Sequence, residues 1–186
     1  MSAQKKRRKE ELVQELENER ELVQRCQAGE LAAYEILYRH FEQPLLSFGL
    51  RMLGRQEDAE DALQTTFLKL YRGVAKFNFN SKFSTYLFRI MMNVCFDALN
   101  KKKKMKTEEL KEIEQSYAPG VDLRLQLEDA IERLPERMKA CFVLFAVQGL
   151  KQTEVAAILD LNLGTVKAHI FQAKAQLRTI LSDTKV

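Results

Sequence analysis

The chain has 186 residues, of which 46% are hydrophobic and 30% charged, with a formal net charge of +4. That length supports one substantial core or two small ones, and only seven Gly, three Pro and few alternating β-branched runs favour an all-α fold. Cys26, Cys95 and Cys141 lack the paired spacing of a zinc site or a disulfide framework, no apolar run reaches a membrane span of about 18 residues, and nothing behind the basic start resembles a signal peptide. A cytoplasmic protein with reduced thiols, no metal and no other cofactor is expected.

Residues 1–9 read as a basic, disordered arm, since Lys5, Lys6, Arg7, Arg8 and Lys9 against Glu10 already account for the whole net charge. Helical composition follows over 10–28, with Gly29 as its terminator. Leu31, Tyr34, Leu37, Tyr38 and Phe41 recur at helical spacing over 30–41, and Pro44 is expected to break that helix or to open a new one over 45–53, ending at Gly54.

The next helix, 59–77, buries Leu63, Phe67, Leu70 and Val74. Its other face carries Glu57, Asp61, Gln64, Leu68, Tyr71 and Arg72, so that Leu68 and Tyr71 form an apolar pair inside a polar rim. Such a face either docks another protein or meets a neighbouring helix of the same domain.

A loop of alternating aromatics and amides, Phe77, Asn78, Phe79, Asn80, Ser81 and Lys82, leads into the helix 83–104. Ser84 is expected to cap that helix. Leu87, Ile90, Met91, Val94 and Ala98 form its core stripe, while Thr85, Arg89, Met92, Asn93, Phe96 and Asn100 lie opposite. The exit is the run from Lys101 to Lys104. Rings that stack on bases, amides that read base edges and cations that neutralise phosphate are the chemistry of single-strand recognition. A core helix with a solvated lysine tail is the alternative.

Apolar periodicity stops over 105–122, which reads as a linker passing Ser116, Pro119 and Gly120. A second domain, 123–186, begins with a helix carrying Leu125, Leu127, Ile131 and Leu134. An apolar helix over 137–148 follows, closed by Gly149. Two helices in tight succession, 152–159 and one capped by Asn162 and running to Leu181, have helix-turn-helix spacing. In the last helix Val166, Ile170, Ala173, Leu177 and Leu181 face inward, and Thr165, Lys167, Ala168, Phe171, Gln172, Ala175 and Arg178 face out. Ala168 permits close approach to a major groove, Gln172 suits adenine, Phe171 a thymine methyl and Lys167 a phosphate or base acceptor. Two turn-linked helices of a purely structural bundle would share this spacing.

Three stretches in order, AEDALQTTFLKLYR from Ala59, FSTYLFRIMMNVCFDAL from Phe83, and LPERMKACFVL with TEVAAIL and GTVKAHIFQAKAQL, resemble bacterial RNA polymerase sigma factors of the extracytoplasmic-function group. In the second stretch Leu87, Arg89, Ile90, Asn93 and Asp97 carry the likeness. The resemblance implies a region 2-like domain over 10–104, the linker and a region 4-like domain over 123–186. It implies that Asp61, Gln64, Leu68, Tyr71 and Arg72 dock on the clamp helices of the polymerase largest subunit, and that the second domain meets the flap of the second-largest. Asn78, Phe79, Asn80, Ser81, Lys82, Arg89, Asn93, Phe96, Lys101 and Lys102 would melt and read the minus-ten promoter element. Thr165, Lys167, Ala168, Phe171, Gln172 and Lys174 would read the minus-thirty-five element, and an anti-sigma factor would be a further partner.

Departures from the family pattern are Tyr86 for Trp, Asn100 for Arg, His169 and Gln172 where Arg is common, and Asp160 for a turn Gly. The expected function is therefore a non-enzymatic promoter-specificity subunit. A helix-turn-helix regulator that binds duplex DNA without joining polymerase is the alternative; it leaves the Asp61 face and the Asn78 loop unexplained. An interaction module that meets only a protein partner is a third reading.

Overall fold

Apolar residues three to four positions apart recur through the helices, and no strand occurs among the described residues, 18–106 and 123–183 of a computed structural model. In chain order the helices are α1 (Glu19–Gln27), α2 (Leu31–Leu53), α3 (Gln56–Gly73), α4 (Phe83–Lys106), α5 (Leu123–Glu132), α6 (Glu136–Phe142), α7 (Gln152–Leu159) and α8 (Leu163–Asp183). A 3-10 turn, Val74–Lys76, extends α3, and a π turn, Val143–Val147, extends α6. The all-α class is as expected. The expected basic arm, the first part of the first expected helix and the expected linker beyond Lys106 lie outside the described residues.

Helices α2, α3 and α4 pack pairwise, and α1 lies against α2 and the 3-10 turn. Leu37, Phe41, Phe48, Leu70, Phe88 and Met91 are fully buried in the core they share. Removing one such ring, as in Phe48→Ala, costs about 3–5 kcal/mol. Gly49 allows the close approach: a Cβ there would stand 2.6 Å from Cε of Met91 and 3.4 Å from Cβ of Ala59. The Thr66 hydroxyl, fully buried between α3 and α4, donates to the Ala62 carbonyl at 2.7 Å and lies 3.1 Å from the Met91 sulfur. In the second group α8 packs on α5, α6 and α7 around Ile131, Leu144, Val155, Val166, Ile170 and Ala173. The groups meet where α4 packs on α7 and α2 on α5.

Three expectations are corrected. Pro44 lies inside α2 and does not end it. A mid-helix proline loses a hydrogen bond and crowds the carbonyl four residues back, at about 3 kcal/mol. Leu37, Phe41, Leu45 and Phe48, buried in one register on both sides of it, carry the helix through. Ser84 does not precede α4 but sits in its first turn, where it is buried, and the free N–H of Phe83 is taken by the Glu19 carboxylate at 3.3 Å. Thr85 and Met92, assigned to an open face, are 3% and 1% exposed. Helix α4 has α2, α3 and α7 as neighbours, so little of its circumference stays wet.

Candidate nucleic-acid interface

On α3 the positions 61, 64, 68, 71 and 72 fall along one side, because residues three and four apart share a helix face. Asp61, Gln64, Leu68, Tyr71 and Arg72 are all exposed there, Leu68 at 49% and Tyr71 at 54%. The Tyr71 ring leans on Tyr34 of α2, and Tyr38 of α2 meets Phe67 of α3 with centroids 4.7 Å apart. The patch is thus open but seated on a firm aromatic floor.

The loop before α4 is pinned at both ends by buried rings. Phe77 packs within 5.0 Å of Phe79, 5.7 Å of Phe83 and 4.9 Å of Tyr86. Between those anchors Asn78, Asn80, Ser81 and Lys82 are exposed, whereas Phe79 is half-buried. Phe79 also has a left-handed backbone, φ 60°, which costs an L-residue about 1–2 kcal/mol and persists only where its surroundings enforce it. Its ring folds back on Phe77 and lies 4.9 Å under the Arg20 guanidinium, so the Asn78 and Asn80 amides are the more open groups of this loop. The Asn78 side-chain Oδ1 accepts the Asn80 backbone N–H at 3.3 Å, fixing the turn between them and leaving the Asn78 NH2 group as its open donor.

Along α4, Arg89 and Asn93 are exposed and Phe96 is half-buried. Arg89 is already engaged: its Nε donates to the Ala157 carbonyl of α7 at 3.1 Å, and its Nη2 donates to the same oxygen. Ala157 lies in the last turn of α7, whose final carbonyls have no intrahelical partner and carry the negative end of the helix dipole. Around this contact Lys82 pairs with Glu154 at 3.4 Å, Lys103 with Glu136 at 2.9 Å and Arg51 with Glu128 at 2.5 Å. In each pair the cation comes from the first helix group and the acid from the second. Lys102 is tied within its own group to Asp58 at 2.5 Å, and Lys101 is exposed.

On α8 the inward residues are as the spacing implies: Val166, Ile170, Ala173 and Leu177 are buried, and Leu181 is partly so. Lys167, Ala168, Phe171 and Gln172 are open to solvent, Phe171 at 74%. Asn162 caps the helix, its Oδ1 accepting the Thr165 N–H at 2.7 Å and the Thr165 hydroxyl at 3.0 Å, so Thr165 is committed to the cap. Lys174 is drawn over the Phe145 ring at 5.2 Å. In the turn before α8, Asp160 is left-handed, φ 52° and ψ 50°.

The three thiols lie inside the helix groups. All are buried and free, and burial pushes Cys26 and Cys141 up to about 11 and Cys95 up to about 12. Among the described residues no group of three or more His, Cys, Asp or Glu could hold a metal ion, and no helix is long and apolar enough to cross a membrane.

Sequence reasoning missed the contacts that brace the loop from α1 and those that join α4 to α7. Gln27 and Phe77 are 50 residues apart and Arg89 and Ala157 are 68 apart, and no spacing rule links them.

Comparison with known proteins matches two families in order: "Sigma-70 region 2" over residues 37–105 and "Sigma-70, region 4" over residues 124–177. The chain is 29% identical to the ECF RNA polymerase sigma factor SigW of Bacillus subtilis, across 87% of this chain and 95% of that one. It is 32% identical to the ECF RNA polymerase sigma factor SigM of Mycobacterium tuberculosis, across 83% and 80%. Its fold resembles that of CnrH in complex with the cytosolic domain of CnrY, with TM-score 0.71 at 23% identity over 90% of this chain and 99% of that one. The sigma factor RpoE in complex with the anti-sigma factor NepR, from Bartonella quintana, follows at TM-score 0.69 and 20% identity over 80% and 96%.

Proposed function

Because this chain belongs to the extracytoplasmic-function group of the sigma-70 family, we propose that its three open surfaces divide the work of promoter-directed transcription between them. It is a sigma factor that directs transcription, and its partners are core RNA polymerase, promoter DNA and an anti-sigma factor. The observation that carries the division of labour is the exposed Leu68 and Tyr71 pair, an apolar patch left open to solvent on α3 while that helix packs on α4.

In this reading Asp61, Gln64, Leu68, Tyr71 and Arg72 dock on the polymerase clamp helices, with Leu68 and Tyr71 as desolvated anchors. The loop from Asn78 to Lys82 reads an unstacked base of the minus-ten element, and Arg89, Asn93, Phe96, Lys101 and Lys102 guide the separated strand. Lys167, Ala168, Phe171 and Gln172 enter the major groove at the minus-thirty-five element, with Lys174 and Thr165 at its margin. Residues 10–104 form the region 2-like unit, 105–122 the linker and 123–186 the region 4-like unit, which also meets the polymerase flap. The chain works in the cytoplasm and performs no covalent chemistry: bond formation belongs to polymerase.

Reconstitution with purified core polymerase tests this reading. The chain should co-elute with core and support transcription from a defined set of promoters. Binding to duplex DNA with no association with core would instead identify a stand-alone helix-turn-helix regulator.

A further inference from the structure

Helix α1 lies alongside the base-reading loop and touches it at both ends. Its last residue, Gln27, donates through Nε2 to the carbonyls of Val74, at 3.0 Å, and Phe77, at 2.7 Å, where the 3-10 turn hands over to the loop. Its first residue, Glu19, accepts the N–H of Phe83 at the far end, and Arg20 covers the Phe79 ring in between. Nine residues of helix span about 12 Å, so one rigid rod sets both the start and the finish of the loop. The left-handed Phe79 backbone is one an L-residue holds only where its surroundings enforce it, and Arg20 of α1 and Phe77 are the neighbours its ring meets.

We propose that α1 is a positioning element for minus-ten selectivity: Gln27 and Arg20 hold the Asn78 and Asn80 amides in the register that chooses a base, without touching DNA themselves. The inference rests on the loop being the base-reading segment. Loss of the Gln27 donor leaves the half-buried Phe77 carbonyl unpaired and lets the loop relax away from its start. Loss of Arg20 uncovers Phe79 and frees the middle. Both act on where the amides stand, so they should change which base is preferred and not how tightly polymerase is held.

The test is transcription by core polymerase reconstituted with the full chain on promoter fragments randomised at each position of both elements. Gln27→Ala, the near-isosteric non-donor Gln27→Glu, and the surface change Arg20→Ala should each flatten discrimination about fivefold at the loop-read position. Discrimination at the upstream element and affinity for core should stay within about twofold. Unchanged downstream selectivity in all three variants overturns the inference, as does an equal loss at every position, which would mean only that α1 stabilises the fold. Arg20→Ala keeps the test open if the Gln27 variants fold poorly. If the wild-type chain selects no sequence at either element, the failure lies with the proposed function and not with α1.

Discussion

The rings of Tyr34 on α2 and Tyr71 on α3 lie 5.0 Å apart at 52°, so the most exposed aromatic of the docking patch is propped from behind by a neighbouring helix. A side chain held in this way loses little freedom on binding, which favours it as an anchor. Asp61→Ala with Leu68→Ala should weaken core polymerase binding by ten- to a hundredfold, about 1–3 kcal/mol. Both residues are exposed, so the unfolding midpoint should hold. Unchanged affinity in a pull-down or anisotropy titration would remove α3 from the docking assignment.

On α8, Phe171→Ala or Gln172→Ala should cost about 1–3 kcal/mol at individual upstream base pairs and leave core binding alone. Transcription from a panel of single-base upstream variants measures this. Equal use of that panel before and after substitution would contradict it.

At the seam between the helix groups, a DNA strand that reaches Arg89 competes with the Ala157 carbonyl for its donors, and one that reaches Lys82 competes with Glu154. Glu128→Gln, Glu136→Gln and Glu154→Gln combined should widen the distance between spin labels on α3 and α8. The same variant should bind a mixed-sequence single-stranded oligonucleotide about three- to tenfold more tightly, and high salt should loosen the wild-type seam likewise. The equal charge change at Glu21, Glu35 and Glu42 is the control. If the control gains as much affinity, net charge and not the seam is responsible.

The buried thiols give a pH-dependent prediction. Their folded values lie near 11 to 12, above an unfolded value of about 8.5, so each thiol is neutral at pH 7. Their contribution to stability is present in full below about pH 8.5 and is lost as pH rises through the folded values. A thiol-reactive chromophore at pH 8 should react slowly with the native protein and fast with all three cysteines in denaturant. A native burst would disagree.

In the turn before α8, Asp160→Gly removes a left-handed strain and should stabilise the C-terminal helices by about 0.5–1 kcal/mol. Thermal unfolding reports it as a midpoint higher by a few degrees. A lower midpoint would mean that the Asp160 side chain has a stabilising role.

How much was legible depended on how local the cause was. The α8 pattern and its Asn162 cap could be read directly, because a helix with one dry side declares itself in a 3.6-residue period and a cap is a contact three residues long. Met92 could not. Its period places it off the stripe of Leu87, Met91 and Val94, and it is buried because α4 is packed by α2, α3 and α7 rather than along one stripe. Pro44 departs from expectation for a related reason, since burial on both sides outweighs the local penalty. Arg89 lies at the surface as its period implies, but its partner is a backbone carbonyl with no side-chain signature.

The packing of Thr66 against Met91 has a final consequence. Helix α3, proposed to hold polymerase, and helix α4, proposed to hold the opened strand, share one core without a joint. Under those two proposals the pair would be a ruler of fixed length between the enzyme and the downstream element. The point where RNA synthesis begins, counted from that element, would follow from the thickness of a helix pair.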